Sequence, residues 1–411
     1  MPVPFTDVVA LDTVDPDAPL DDLEPLAKLV GDARVVAIGE SAHHIREFTR
    51  WRHRALRFLA EQCGFTVFAM ESGFSEGLAV DAWVRGGAGD LGELAEHGIT
   101  YRMGRSPEMR EQLRWMRSSP LPLRFSGVDV PGSTASPLPA LDNLRRYLSE
   151  IDADAVPLVD RIAEDARAYA SEHTLLAYRA YAGIARADRD RTTALLADLA
   201  VRFDALAVEY TEAGGVQAYR TARRELRLTC LLDQGLRGFA AGADGGFTHP
   251  KVAARDRGMA ETVLELLGPD TRIVLAAHNT HIQRTPMVTP AFTLSAMGHH
   301  LAHSLGEDYL AMAVTARAGR TSARRADPDA PGGVAITGVE LPPAPDDSVE
   351  AAFLPSPRPQ LVDLRAARGR RPGPERIRLS EGFLATPVLE AFDLAVSIPE
   401  ITFAADPGQP G

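Results

Sequence analysis

Cysteine and lysine are nearly missing from this chain. Of its 411 residues only Cys63 and Cys230 are cysteines. Each stands alone in a helix-like apolar setting, which argues against a disulfide framework or a metal knuckle and suits reduced core thiols. Lysine occurs only at Lys28 and Lys251, against a great many arginines. Abundant Ala, Gly and Pro point to the codon bias of a high-GC genome, so arginine content alone carries little functional weight. No basic block is present: the net charge of -12, from 44 basic and 56 acidic residues, is spread along the chain. Neither nucleic acid nor an anionic membrane surface is therefore an expected partner. No apolar run approaches the roughly 18 to 20 residues that cross a bilayer. The segment Met1 to Pro25 is acidic and proline-bearing, unlike a signal peptide, so the expected location is cytoplasmic.

What the chain does have is apolar residues enough, 45% against 24% charged, to bury one large core or two moderate ones. From about residue 34 to 130 strand and helix patterns alternate, with strands expected at Val35 to Gly39, Phe65 to Glu71 and Leu123 to Asp129. Helices are expected near Ile45 to Glu61 and Met109 to Arg117, which predicts parallel strands. From Leu138 to Ala241 the pattern changes to Ala, Leu and Arg at helical spacing, with long amphipathic helices at Arg191 to Tyr210 and Ala218 to Phe239. Helical periodicity returns at Lys251 to Leu267, and a strand follows at Arg272. A helix-like segment lies around Thr293 to Ser304, and a strand at Tyr309 to Thr315. Residues 320–375 read as loops around short strands at Val334 to Ile336 and Gln360 to Leu364. The apolar, β-prone stretch Phe392 to Phe403 closes the chain. The expected fold is α/β, a mostly parallel central sheet flanked by helices. Residues 1–137 and 246–411 supply its two parts, and 138–245 form a helical insertion that covers or borders the site.

Two strand ends nearly 240 residues apart carry the ionisable groups. Arg34-Val-Val-Ala-Ile-Gly-Glu-Ser-Ala-His-His44 and Arg272-Ile-Val-Leu-Ala-Ala-His-Asn-Thr-His-Ile282 each run from a β-branched apolar stretch into carboxylate and imidazole, where open parallel sheets bind ligands. Glu40 and His43 lie three apart in a turn that Gly39, Ser41 and Ala42 permit. A carboxylate beside an imidazole fixes its tautomer and lifts its pKa from roughly 6.5 by about a unit. That makes His43 a candidate general base. His278 and His281 repeat the spacing and are candidates to donate to a carbonyl oxygen or protonate a leaving alcohol, with Asn279 as a further donor. Glu71 and Asp129 end the two other expected strands and converge on the same edge. Arg52 and Arg255 are candidates to hold an oxyanion or the opposing carboxylates.

Plainer readings compete. Asp129 precedes Val130-Pro131-Gly132 and serves equally as a turn cap. Arg52 and Arg255 fit solvent-facing helix positions, and His44, His299, His300 and His303 read as solvated or packing residues. Gly73-Phe-Ser-Glu-Gly77 matches the GxSxG of a serine-hydrolase elbow in the right strand-to-helix context. Glu71 and Glu76, however, crowd that serine, and no triad acid is evident for the histidine motif. Glu40, His43, Glu71, His278 and His281 are also sensible zinc or manganese ligands, although the helical HExxH spacing is absent.

The run Gly39-Glu-Ser-Ala-His43 with Glu47-Phe48 and Arg52, then Phe68-Ala-Met-Glu71-Ser72-Gly73, resembles the erythromycin esterase family. So do Arg255-Asp256 with Met259, Ala277-His-Asn-Thr-His281-Ile-Gln283, and the closing Phe392-Asp393 with Ser397-Ile398-Pro399. The resemblance implies an α/β core with a helical domain over a deep cleft. It implies hydrolysis of a macrolide lactone by activated water, with no covalent serine intermediate, no cofactor and no required metal. His43 would be the base, Glu40 its orienting acid, and Glu71, Arg52, Arg255, His278 and His281 the polar floor. The implied partner is a small macrolide or polyketide lactone. Other members tailor natural products, so the same site is compatible with dehydration, cyclisation or acyl transfer. A pure binding protein has little need of so many ionisable groups in one pocket.

Overall fold

Val35-Val-Ala-Ile38 and Ile273-Val-Leu-Ala276 are buried along their whole length, as unbroken apolar runs must be when a strand is covered on both faces. The computed structural model describes residues 4–171, 173–243, 253–288, 293–327, 329–330, 333–369 and 373–404. Lys251, where the expected helix begins, and the expected boundary at 245 and 246 lie outside the described residues, as does Met1.

The strands are β1 (Val8–Ala10), β2 (Val35–Ile38), β3 (Val67–Gly73), β4 (Arg124–Asp129), β5 (Ile273–Ala276), β6 (Met287–Val288) and β7 (Thr293–Leu294), followed by β8 (Tyr309–Ala326), β9 (Val334–Glu340), β10 (Gln360–Asp363), β11 (Arg376–Leu379), β12 (Gly382–Ala385) and β13 (Leu394–Ile401). Among the described residues one sheet runs β1-β10-β13-β8-β2-β5-β3-β4, with β9 paired to β8. From β13 to β4 every pairing is parallel. β1, β9 and β10 pair antiparallel at the margins. This is the mostly parallel α/β fold expected from the sequence.

The pleat divides the core. Val36, Ile38, Phe68 and Met70 face helices Arg46–Cys63 and Pro107–Ser118, burying Phe48, Trp51, Leu59 and Leu113. Val35, Ala37, Ala69 and Leu275 face Met259, Val263 and Leu301 on the other side. Alternation at period two produces this sorting, and each fully buried large apolar side chain contributes about 1.5–3 kcal/mol.

The described residues between 138 and 243 are mostly helical and bury a separate cluster that includes Leu144, Ile162, Leu199, Phe203 and Leu228. The helix expected over Arg191 to Tyr210 is two helices, Arg186–Ala205 and Ala207–Gly214, separated at Leu206. The break carries neither Gly nor Pro. It lets Tyr210 pack edge-on against Phe203, with ring centroids 5.2 Å apart, and bond Asp152. Three other differences concern strands. Thr293 and Leu294 form β7, and the following helix is only Met297–Leu305. β8 runs far beyond Thr315 because its polar second half pairs with β9 from Arg320↔Glu340 to Ala326↔Val334. Part of the expected loop at 320–375 is therefore a two-stranded arm.

Gly73-Phe-Ser-Glu-Gly77 is a packing motif. A Cβ on Gly77 would stand 2.8 Å from the Gly127 backbone nitrogen, so the second glycine lets helix Phe74–Val84 lie directly on β4. Ser75 Oγ bonds Glu225 of helix Val216–Ala243, and Asn143 Nδ2 donates to the same carboxyl at 2.7 Å. Burial pushes the Glu225 carboxyl from 4.5 up to about 8, against the two hydrogen bonds, with Glu76 adding to the rise. A carboxyl raised on folding favours the native state less once the unfolded chain ionises. Native stability is accordingly expected to fall as pH rises from about 4.5 toward 8. Glu225→Gln, which keeps both partners, should raise Tm at pH 8.5 and leave it nearly unchanged at pH 5. Calorimetry at the two pH values checks this.

Candidate active site

The order β2-β5-β3-β4 sets four carboxyl strand ends side by side, and each supplies a polar group. The backbone joins the first two: Asn279 N–H donates to the Glu40 carbonyl at 2.9 Å and Ala277 N–H to Ile38 at 3.3 Å. Gly39 makes this approach possible, since a Cβ there would sit 1.9 Å from Asn279 Oδ1.

His43 Nδ1 donates to Glu40 Oε1 at 2.6 Å. In the neutral ring this tautomer leaves Nε2 as the acceptor. Both residues are buried, at 8% and 7% exposure. Burial pushes the Glu40 carboxyl up, but the bond to His43 and the charges of His43 and Arg52 outweigh it, so Glu40 is held below the usual carboxylate range. Arg52 lies behind Glu40, its Nη1 3.5 Å from Oε2.

Across the cleft His281 Nδ1 donates to Asp256 Oδ1 at 2.7 Å. Its Nε2 approaches Glu71 Oε1 to 3.3 Å. Burial lowers the imidazole pKa, yet Asp256 and Glu71 raise it from 6.5 to about 9. His281 is thus a cation at neutral pH. Its share of folding stability is complete below about 6.5 and fades as pH passes about 9. Glu71 is fixed by Arg255 Nη2 at 2.8 Å and by the His278 N–H at 2.8 Å. Although burial opposes ionisation, His281 and Arg255 hold it well below the usual carboxylate range. Arg255 binds Asp129 through Nε at 2.9 Å and Nη2 at 2.7 Å. Asp129 is completely buried. Arg255 Nη1 carries no carboxylate and lies 3.4 Å from His281 Nε2.

Tyr101 links the two halves. Its ring stacks on His43 at 5.6 Å and 17°. Its hydroxyl accepts from Arg255 Nη2 at 3.3 Å and donates to the Ser133 carbonyl at 3.2 Å. Among the described residues the non-glycine residues at positive φ are His44, Tyr101, Arg102, Ser133, Thr134 and Ser380. All belong to this neighbourhood. His44 follows the base, Arg102 and Thr134 adjoin Tyr101 and Ser133, and Ser380 N–H donates to Ser41 at 2.8 Å. Backbone strain of about 1–3 kcal/mol per residue persists where surroundings over-determine the geometry.

Glu40, His43, Glu71, His278, His281, Arg52, Arg255, Asn279 and Asp129 all come together, and two of them, His278 and Asn279, make contacts other than those expected. His278 Nε2 donates to the Ser41 carbonyl at 3.0 Å, while its Nδ1 accepts from the Thr280 N–H at 3.2 Å. Burial and the neighbouring His43 bring its pKa down to about 4. With Nε2 on Ser41, the side chain braces the His43 loop. Asn279 bonds Val314 with both amide atoms, at 2.9 and 3.1 Å, so it extends the sheet in place of binding substrate. Arg52 takes the alternative of facing a carboxylate, Glu40, and Asp129 that of a turn cap, accepting from the Val130 N–H at 2.8 Å as well as from Arg255. Sequence reasoning missed the roles of Asp256 and Tyr101. Asp256 adjoins Arg255 and was open to discovery, whereas Tyr101 lies in an irregular 3-10 turn, Thr100–Arg105, with no periodic signal. Among the described residues no three His, Cys, Asp or Glu side chains are arranged to hold a metal ion. No helix among them is long and apolar enough to cross a membrane.

Residues 60–392 match the family described as Erythromycin esterase. The erythromycin esterase type II of Escherichia coli is 31% identical over 348 residues, 82% of either chain. The type I enzyme of Escherichia coli is 26% identical over 299 residues, 72% of this chain and 73% of the relative. A mutant of the erythromycin esterase EreC in its open conformation superposes with a TM-score of 0.85 at 23% identity, covering 97% of this chain and 99% of that one.

Proposed function

This chain belongs to the erythromycin esterase family, and from that premise we propose that it opens the lactone of a macrolide or related polyketide by general-base activation of water. Membership makes it a carboxylic ester hydrolase; the substrate and the division of labour are our reading. The observation that carries the reading is the unlike state of two histidines at one cleft. His43 is bound at Nδ1 by Glu40 with Nε2 open, and His281 is bound at Nδ1 by Asp256 and held protonated. An imidazole whose Nδ1–H faces a carboxylate can accept at Nε2, and an imidazole held as a cation can donate.

His43 Nε2 takes a proton from water as the hydroxide oxygen adds to the ester carbonyl. Arg255 Nη1, the guanidinium nitrogen without a carboxylate, faces the charge that forms on the carbonyl oxygen. Collapse of the tetrahedral species breaks the acyl C–O bond, and the departing alkoxide takes the Nε2 proton of His281. The proton on His43 then returns to His281 through solvent.

Incubation with a panel of macrocyclic lactones followed by mass spectrometry tests this. The expected product gains one water, persists after chelation and disappears in His43→Ala. A loss of water or an unchanged mass would instead favour dehydration, cyclisation or acyl transfer at the same groups. Ser75→Ala should keep its hydrolytic rate within about threefold, because Ser75 serves Glu225 and lies outside the proton path. A loss of about a hundredfold or more in a steady-state assay would restore the serine elbow.

A further inference from the structure

Arg324 is an exposed residue on the arm that β8 and β9 build beyond the sheet, in register with Ile336. Side chains alternate along a strand, and the neighbouring Arg325 turns to Glu381, with Nη1 donating at 3.0 Å. Arg324 meets no carboxylate among the described residues. Its guanidinium lies over the Tyr101 ring, 5.6 Å from the centroid, and that ring is the one stacked on His43. Its field reaches further: after burial and the charge of His43, Arg324 helps bring His44 down to about 3, and it also lowers His173. Near its tip the arm meets the helical region, where a Cβ on Gly333 would lie 3.1 Å from Leu176.

The inner carboxylates are all engaged. Glu40 faces His43 and Arg52, Glu71 and Asp129 face Arg255, and Asp256 faces His281. A substrate entering beside Tyr101 therefore meets an uncompensated cation before it meets a free acid. We propose that Arg324 is a specificity-determining residue that receives an anionic substituent of the substrate, a carboxylate above all, next to the ester delivered to His43. This rests on the esterase reading for the identity of the ester, while the recognition itself needs no turnover. An exposed ion pair changes a binding constant by up to about fivefold. Attraction of an anion together with repulsion of a cation places the discrimination at about tenfold.

The test uses two macrocyclic lactones identical except for a carboxylate or a quaternary ammonium on the same side chain. Both are titrated calorimetrically at low ionic strength into the His43→Ala protein, which leaves them intact. The carboxylate form should bind about tenfold tighter, the ratio should fall to near one in Arg324→Ala, and it should invert in Arg324→Glu. Added salt should shrink it. Equal affinity, an ammonium preference, a ratio indifferent to Arg324, or binding of neither lactone overturns the proposal. Arg324-dependent carboxylate binding without water gain in the wild-type protein would instead sink the esterase reading and leave this one standing.

Discussion

His43→Ala should lower kcat for lactone hydrolysis by about a thousandfold with little change in KM or Tm. General-base catalysis by a positioned side chain is worth about 10² to 10⁴, and of His43, His278 and His281 it is His43 whose Nε2 meets neither a carbonyl nor a carboxylate. The fold should survive because Glu40, the group left behind, keeps Arg52 at 3.5 Å. Added imidazole should restore part of the rate by diffusing into the space beside Tyr101. Glu40→Gln should cost less, about ten- to a hundredfold, since it removes the preference for the Nδ1–H tautomer and retains the base itself. Steady-state assays with and without imidazole decide the matter. A His43→Ala protein that hydrolyses at the wild-type rate would transfer the base role elsewhere.

The sheet was legible because its strands obey one rule. β2 and β5 are unbroken apolar runs rich in β-branched residues that lead into ionisable ones, as suits a strand covered on both faces. Glu40 and His43 were legible together because a carboxylate three residues before an imidazole, across a small-residue turn, constrains their relative position. The direction of each proton was hidden. His278 and His281 share a motif and a spacing, yet burial and the neighbouring His43 lower the pKa of the first, whose Nε2 faces Ser41, while Asp256 and Glu71 raise that of the second. Those partners come from other segments. Tyr101 and Arg324 were hidden for a related reason. Tyr101 is held in a left-handed turn by tertiary contacts, and Arg324 belongs to a polar strand half that reads as loop until β9 is there to pair with it. The second glycine of GxSxG shows the reverse case, in which spacing suggestive of chemistry records how closely a helix lies on β4.

Arg255→Ala should be the most damaging change to the molecule as a whole. Asp129 is fully buried and Glu71 is 3% exposed, and both depend on this guanidinium. Breaking a buried ion pair from one side costs about 3–5 kcal/mol because the remaining charge stays in a poorly solvating site. Denaturation at pH 7 should show a loss of that size. The deficit should shrink toward pH 5, since a carboxyl without its cation rises in pKa and can protonate before the fold gives way. Arg255→Lys should recover little, because one ammonium cannot span Nε and Nη2 to Asp129 while also reaching Glu71 and Tyr101. Arg255→Ala combined with Asp129→Asn separates stability from catalysis. Neutralising Asp129 should return part of the lost stability, whereas kcat should stay about 10² to 10³ below wild type because the Nη1 donor to the developing oxyanion is still missing. If the double variant recovers rate along with stability, Arg255 is only a clamp and another donor holds the oxyanion. If it recovers stability alone, the same guanidinium both assembles the buried acids and stabilises the charge that the reaction creates.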